Sequence, residues 1–378
     1  MTKIAVYGAT GYTGRLVSEQ LRDRGFDAVL CGRNASKLRS LAESIGVDWP
    51  VRAAAIDDAP ALRKALAGAD VVISCAGPFT FYGAPVIEAA LDVGAHYVDT
   101  TGEQPYIRRV YEHMDGPASA AGRAVIPAVG FDYLPGDLIA SLAARGHEPL
   151  DELTIAYSVA GFGMSRGTLR SALEMLGGDS EDIEYADGGW RPGGRQPMRE
   201  TFPFPDPIGV QPVVRYPGGE VVTVPRHVDV RNLRYRWNSA TFAPHASLKG
   251  VVPLTFPLLK AVLSTPLRDL AETQIDRLPE GPPEDARRAS RWTIVAEARS
   301  RSGSVGRAVV SGRDLYGITA VIAVRCAELL GAEGFTGAGA LAPAQAFDPE
   351  DFLRYLGPHG VEFRVEEPSR PRAAAAKA

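Results

Sequence analysis

Ile4-Ala5-Val6-Tyr7-Gly8-Ala9-Thr10-Gly11-Tyr12-Thr13-Gly14 reads as an apolar strand running into three glycines spaced G-x-x-G-x-x-G, and the helical positions Leu16, Val17 and Leu21 follow. A buried strand, a glycine turn and a helix N-terminus in that order form a cradle for a pyrophosphate. Glycine lets the backbone turn sharply and lets a phosphate approach amides that a Cβ would block, while the helix dipole favours the negative charge. The stretch therefore predicts a dinucleotide site using Gly8, Thr10, Gly11, Tyr12, Thr13 and Gly14.

The second strand, Ala28-Val29-Leu30-Cys31, ends where an NAD-binding fold places an acid for the ribose hydroxyls, about 20 residues past the glycines. Here the chain reads Gly32-Arg33-Asn34, with Ser36 and Lys37 a turn later. An acid would repel a 2′-phosphate, whereas Arg33 grips one with Asn34 and Lys37 in support, so the expected cofactor is NADPH (NADP).

Alternation continues through Val51 to Ile56, with Asp57 at its adenine-side end, then helical Leu62 to Leu66 and the apolar strand Asp70 to Cys75. A helix from Pro85 to Val93, a strand at His96 to Asp99, a helix from Pro105 to Ala120 and a strand at Ala124 to Val129 complete six strands. Such strands, buried on both faces, lose period-2 alternation. Ligands lie beyond their carboxyl ends, which puts Ala76, Gly77, Pro78, Phe79 and Tyr82 along the cofactor. The expected fold is α/β: a Rossmann-type doubly wound parallel sheet over residues 1–147, and a second α+β lobe for substrate and dimerisation over 148–313. Residues 314–378 are expected to pack back on the first lobe, with Pro368 to Ala378 a frayed tail.

Beyond Gly130, Leu153 to Val159 alternates like a strand, Gly167 to Leu176 is helical, and Asp179 to Pro217 reads as an ordered flap or a loop. Val221 to Val224, Trp237 to Phe242, Trp292 to Ala298 and Ala308 to Ser311 read as strands of a second sheet, and Tyr316 to Leu330 as a helix.

Composition sets bounds. At 378 residues and 45% hydrophobic the chain can bury a large two-lobed core, and its charge of −4 gives no basic footprint for nucleic acid. Cys31, Cys75 and Cys326 are too scattered for disulfides or zinc, and no metal site is expected. With neither a signal peptide nor an apolar run of about 20 residues, the expected compartment is the cytoplasm. The patch Val251 to Leu263, flanked by Lys249, Lys260 and Arg268, reads as buried in the second lobe or in a homodimer interface; exposed, it would be a lid or a peripheral membrane anchor.

Four blocks together resemble the saccharopine dehydrogenase-like family, and within it the trans-acting enoyl reductase branch: Gly8 to Gly14, Cys75 to Gly83, His96 to Asp99 with Gly102-Glu103, and Gly130-Phe131-Asp132 with Leu134 to Asp137. The resemblance covers the first 140 residues and thins in the second lobe, where it rests on Gly167-Thr168, Ser311-Gly312, Tyr316-Gly317 and Leu341 to Ala344. It implies a nicotinamide-dependent oxidoreductase in which the Ala76 to Phe79 and Gly130 to Asp132 turns bracket the nicotinamide, adding Gly130 and Phe131 to the cofactor set. It leaves the substrate open among C=C and C–N bonds.

Other dehydrogenase chemistries lack their residues. No lysine has a tyrosine four positions before it, the pairing that lowers a phenol pKa in short-chain dehydrogenases. The only thiol near the site, Cys75, lies on the nicotinamide-side strand, and the six histidines show no ligand spacing. Hydride transfer then needs a proton donor and a carbonyl or nitrogen partner, and the candidates are Asp132, Tyr82, Tyr133 and Tyr157, with Ser165 to Thr168 offering amides and hydroxyls at a helix start. Asp132 as a turn cap, Tyr82 as packing and Ser165 or Thr168 as helix caps are the structural alternatives. The first reading is an NADPH-dependent reductase of an activated C=C bond in a lipid, polyketide or other secondary-metabolite intermediate, small or carrier-tethered. Two readings stand beside it: a C=N (imine) reductase or amino-acid dehydrogenase anchoring carboxylates on Arg166 and Arg170, and a non-catalytic NADP-binding scaffold.

Overall fold

The computed structural model describes residues 2–161, 163–177, 182–194, 199–242 and 273–369. In the first lobe β1 (Ile4–Tyr7), β2 (Ala28–Gly32), β3 (Val51–Ala53), β4 (Val71–Ser74), β5 (His96–Asp99) and β6 (Ala124–Ile126) pair in parallel in the order β3-β2-β1-β4-β5-β6. Every residue of β1, β4, β5 and β6 is buried, so none of them shows period-2 alternation, even β5, whose ends are His96 and Asp99. Helices α1 (Tyr12–Asp23), α2 (Ala35–Ile45), α3 (Ala59–Leu66), α4 (Phe79–Asp92), α5 (Gln104–His113) and α6 (Asp115–Ala121) fill the crossovers. Asn34 and Asp58 cap α2 and α3 by accepting the Lys37 and Ala61 amides. The strand order reverses between β1 and β4, and this switch point lies at the glycine turn.

Helix α7 (Leu134–Ala144) is buried along nearly its whole length and carries the chain into the second lobe. There β7 (Leu150–Ala160), α8 (Arg166–Gly177), β8 (Ile183–Ala186), β9 (Gly189–Pro192), β10 (Arg199–Pro203), β11 (Val210–Arg215), α9 (Glu220–Thr223), β12 (Val230–Asn238), α10 (Glu284–Ala289), β13 (Arg291–Ser300) and β14 (Val305–Arg313) succeed one another. The sheet is mixed: β7 and β12 run parallel, and the other pairs are antiparallel. Leu153, Ile155, Tyr157, Tyr235, Trp237, Trp292 and Ile294 point inward and belong to the same core as the first lobe. On the outer face Phe202 and Phe204 cover Ala156, Val213, Val295 and Val309.

The chain then returns to the first lobe. Helix α11 (Leu315–Leu330) packs beside α1, β4 and β5, and β15 (Gly339–Ala340) adds a seventh strand next to β6. After α12 (Pro343–Ala346) and α13 (Pro349–Leu356), β16 (Glu362–Ser369) pairs with β14 in the second sheet. Residues 314–369 thus divide between the lobes instead of packing on the first alone, because the edge of β14 is open to pairing. The strand also runs through Pro368 and Ser369, where a frayed tail was expected.

Several expected elements differ. Val221 to Val224, expected as a strand, lies in the turn α9 and the 3-10 turn after it; Gly218 and Gly219 precede it, Pro225 follows, and a fully buried apolar run has no period to read. The single helix expected from Pro105 to Ala120 breaks at Met114 into α5 and α6. Helix α4 begins at Phe79, with Pro85 inside it. Strand β12 ends at Asn238, and β8 to β11 occupy much of the Asp179 to Pro217 stretch. The patch from Val251 to Leu263 lies outside the described residues.

Candidate active site

The glycine turn is shaped by close backbone approach. Gly8 has φ +80°, and a Cβ there would stand 2.9 Å from the Ala76 amide nitrogen. A Cβ on Gly14 would stand 2.2 Å from the Gly8 carbonyl oxygen. No side chain caps α1, and no acid lies in its first turn, so its leading amides face the crevice without competition. Tyr12 points elsewhere: its hydroxyl donates to the Pro282 carbonyl at 2.7 Å, and its ring meets Tyr316 edge-on with centroids 5.1 Å apart.

At the end of β2, Arg33 and Lys37 are exposed, and neither has an ion-pair partner among the described residues. Asn34 spends its side chain on the α2 cap. Asp57 is exposed beyond β3.

Between the lobes lies a cavity of about 440 Å³. Its floor comes from Thr13, Cys75, Gly77, Phe79, Gly130 and Asp132, and its opposite wall from α8, Tyr216, Trp237 and Phe242. Burial holds the Cys75 thiol up to about 12, so it stays protonated. Glu103 fixes the floor: its buried carboxylate accepts the Phe79 and Thr80 amides at 2.8 and 2.7 Å and the Ser171 hydroxyl of α8 at 2.7 Å. Glu103→Ala orphans these three donors, at about 1 to 3 kcal/mol for each one that water cannot reach. We expect a melting temperature lower by several degrees in calorimetry.

Among the described lining residues Asp132 is the only carboxyl, and none is a Lys, Arg or His. Desolvation pushes its carboxyl up to about 6, against the opposing pull of its own backbone amide. Three tyrosines share the wall. Tyr133 donates to the Gly102 carbonyl at 2.7 Å, and Tyr316 accepts the Ser165 amide at 2.8 Å and shares a hydrogen bond with the Thr168 hydroxyl at 2.9 Å. Tyr216 has no hydrogen-bond partner among the described residues; it stacks on Phe242 at 5.9 Å and packs against Trp237 at 5.6 Å. Burial, and secondarily the Asp132 charge, raise its phenol above the usual range.

The other expected residues are dispersed. Tyr157 is fully buried behind the wall, stacked on Trp237 at 5.2 Å, and its hydroxyl donates to Glu220. Burial pushes the Glu220 carboxyl well above the usual range. Tyr82 lies on α4 away from the cavity lining, and Phe131 packs against Trp292 at 5.1 Å in the core. Ser165 caps α8 by accepting the Thr168 amide, while Thr168 does line the cavity. Arg166 pairs with Glu280 and Arg170 with Asp276, both off the cavity lining. Sequence reasoning missed Glu103 and Tyr216. For Glu103 the signal was an acid in a Gly-Glu turn right after a buried strand; for Tyr216 it was an aromatic at the end of a strand that had been read as loop.

Residues 4–126 match the saccharopine dehydrogenase NADP-binding domain family. The first lobe is thus similar to that domain. A trans-acting enoyl reductase of Mycobacterium tuberculosis (strain H37Rv) is 36% identical over 140 residues, which are 36% of this chain and 34% of that protein. A second protein of the same strain, whose name places it in the same group, is 35% identical over 190 residues, 47% of this chain and 45% of its own length. The chain thus spans less than half the length of these curated relatives. Among solved structures, saccharopine dehydrogenase (L-Glu forming) from Saccharomyces cerevisiae superposes with a TM-score of 0.59 at 14% identity, covering 97% of this chain and 100% of that one, a likeness of fold across both lobes. Gly8 and Gly14, whose missing Cβ atoms let the turn close tightly on itself and on the end of β4, and the uncapped α1 fit the NADP-binding domain's ligand. Among the described residues, no cluster of His, Cys, Asp and Glu could hold a metal, and no helix is long and apolar enough to cross a membrane.

Proposed function

We propose that this chain is an NADPH-dependent reductase of a carbonyl-activated C=C bond in an uncharged, largely apolar acyl substrate, free or carrier-tethered. The observation that carries this reading is the cavity lining: aromatic and small side chains, one protonatable carboxyl and no cation among the described residues. The names of the curated relatives point the same way over the part of their length that matches. An amino-acid imine would need a carboxylate anchor, and the two arginines suited to it, Arg166 and Arg170, are paired with acids away from the lining.

In this reading the glycine turn and the α1 amides hold the pyrophosphate, Arg33 and Lys37 hold the 2′-phosphate, and the Gly77 to Phe79 and Gly130 to Asp132 turns flank the nicotinamide ring. NADPH bound there supplies a hydride to the substrate β-carbon. The C=C electron pair moves to the α-carbon and onto the carbonyl oxygen as an enolate; Asp132, whose acid form desolvation favours up to a pH of about 6, gives its proton to the α-carbon and is recharged from water. Met164, both exposed and on the lining, marks the mouth through which the acyl tail enters.

NADPH consumption with enoyl thioesters, enones and amino-acid imines tests the reading, and turnover of imines alone would reject it. NADPH binding with no turnover of any class would instead favour the scaffold reading. Arg33→Ala is expected to weaken NADPH binding by about 10- to 100-fold, the worth of a charge-assisted phosphate contact, while NADH binding stays unchanged in a fluorescence titration.

A further inference from the structure

Of the three tyrosine hydroxyls on the cavity wall, two are committed: Tyr133 to the Gly102 carbonyl, and Tyr316 to the cap of α8. The third, on Tyr216, is left without a partner among the described residues, in the cavity that also holds Asp132. Its ring packs against both Phe242 and Trp237, which also touch each other at 5.5 Å, and this three-ring cluster orients the phenol before any ligand arrives. A preset neutral donor in a low-dielectric wall suits a carbonyl oxygen that gains charge, and it can serve without giving up its proton.

We propose that Tyr216 is a catalytic residue whose hydroxyl donates a hydrogen bond to the substrate's carbonyl oxygen and stabilises the enolate, leaving proton delivery to Asp132. The proposal rests on the reductase reading above. It makes the site select alkenes conjugated to a carbonyl, because an alkene lacking that oxygen would leave the hydroxyl unpaired and gain nothing from it.

The experiment compares wild type with Tyr216→Phe, which keeps the ring and its stacking, and with Tyr216→Leu as a packing control. The substrate is the N-acetylcysteamine thioester of trans-2-octenoic acid, and its saturated octanoyl counterpart serves as a binding probe in calorimetry with NADP⁺ present. We expect Tyr216→Phe to lower kcat by about 10²- to 10³-fold, as for loss of an oxyanion donor, with NADPH affinity and the midpoint of the pH profile unchanged. We also expect saturated thioester binding to weaken by about fivefold or more, the worth of a hydrogen bond of roughly 1 kcal/mol. Turnover and binding within about twofold of wild type in Tyr216→Phe would overturn the proposal. If wild type binds the saturated thioester through Tyr216 but consumes no NADPH, the carbonyl contact stands and the reductase reading falls. If neither protein binds it, both fall.

Discussion

Asp132→Asn is expected to lower kcat/KM for a carbonyl-activated alkene by about 10²- to 10⁴-fold, the span of a positioned general acid, while NADPH binds as before. The amide keeps the shape of the carboxyl but has no proton to give. The sign of the pH dependence follows from burial. Desolvation raises the Asp132 carboxyl to about 6, so the acid form dominates below that pH and falls tenfold with each unit above it. Where proton transfer limits turnover, kcat should decline as pH rises through about 6, and the asparagine variant should lack that limb. A pH–rate series from about 5 to 8 on both proteins measures it. A wild-type rate flat across that range would remove Asp132 from the proton step.

Gly14→Ala is the second large effect. The added methyl would meet two backbone groups, the Gly8 carbonyl oxygen at 2.2 Å and the Ala9 Cα at 2.9 Å, and neither can swing aside as a flexible side chain would. Overpacking against backbone costs about 1 to 3 kcal/mol or more, and here the strain falls on the turn that receives the phosphates. We expect NADPH affinity to drop by about 100-fold and the melting temperature to fall. Gly116→Ala in α6 is the control, since nothing lies within 4 Å of its Cβ position; it should be neutral or stabilising by about 0.5 to 1 kcal/mol.

These residues also show what the sequence discloses. The parallel sheet was readable because β1, β2, β4 and β6 are nearly continuous apolar runs, each bounded by turn or helix signals within local reach. The strand Gly339–Ala340 was not, being two residues long and paired with Ala124 and Val125 far earlier in the chain. Asp132 could be placed in the cleft because it follows the last strand of the N-terminal unit. Tyr157 misled because its inward parity is right, yet its neighbour Trp237 takes the cavity side and seals it off. Tyr216 follows β11, and only the antiparallel pairing of β11 with β12 brings it to the wall beside Trp237. Such pairing leaves no trace in local periodicity.

The return of α11 and β15 to the first sheet has a consequence for synthesis. When synthesis has passed residue 132 the sequence that carries the cofactor turns is complete, but α11, which packs beside α1, β4 and β5, and the strand that pairs with β6 do not yet exist. The apolar faces they cover lack that cover until about two hundred further residues have been added, so the nucleotide fold closes late, with segments distant in sequence.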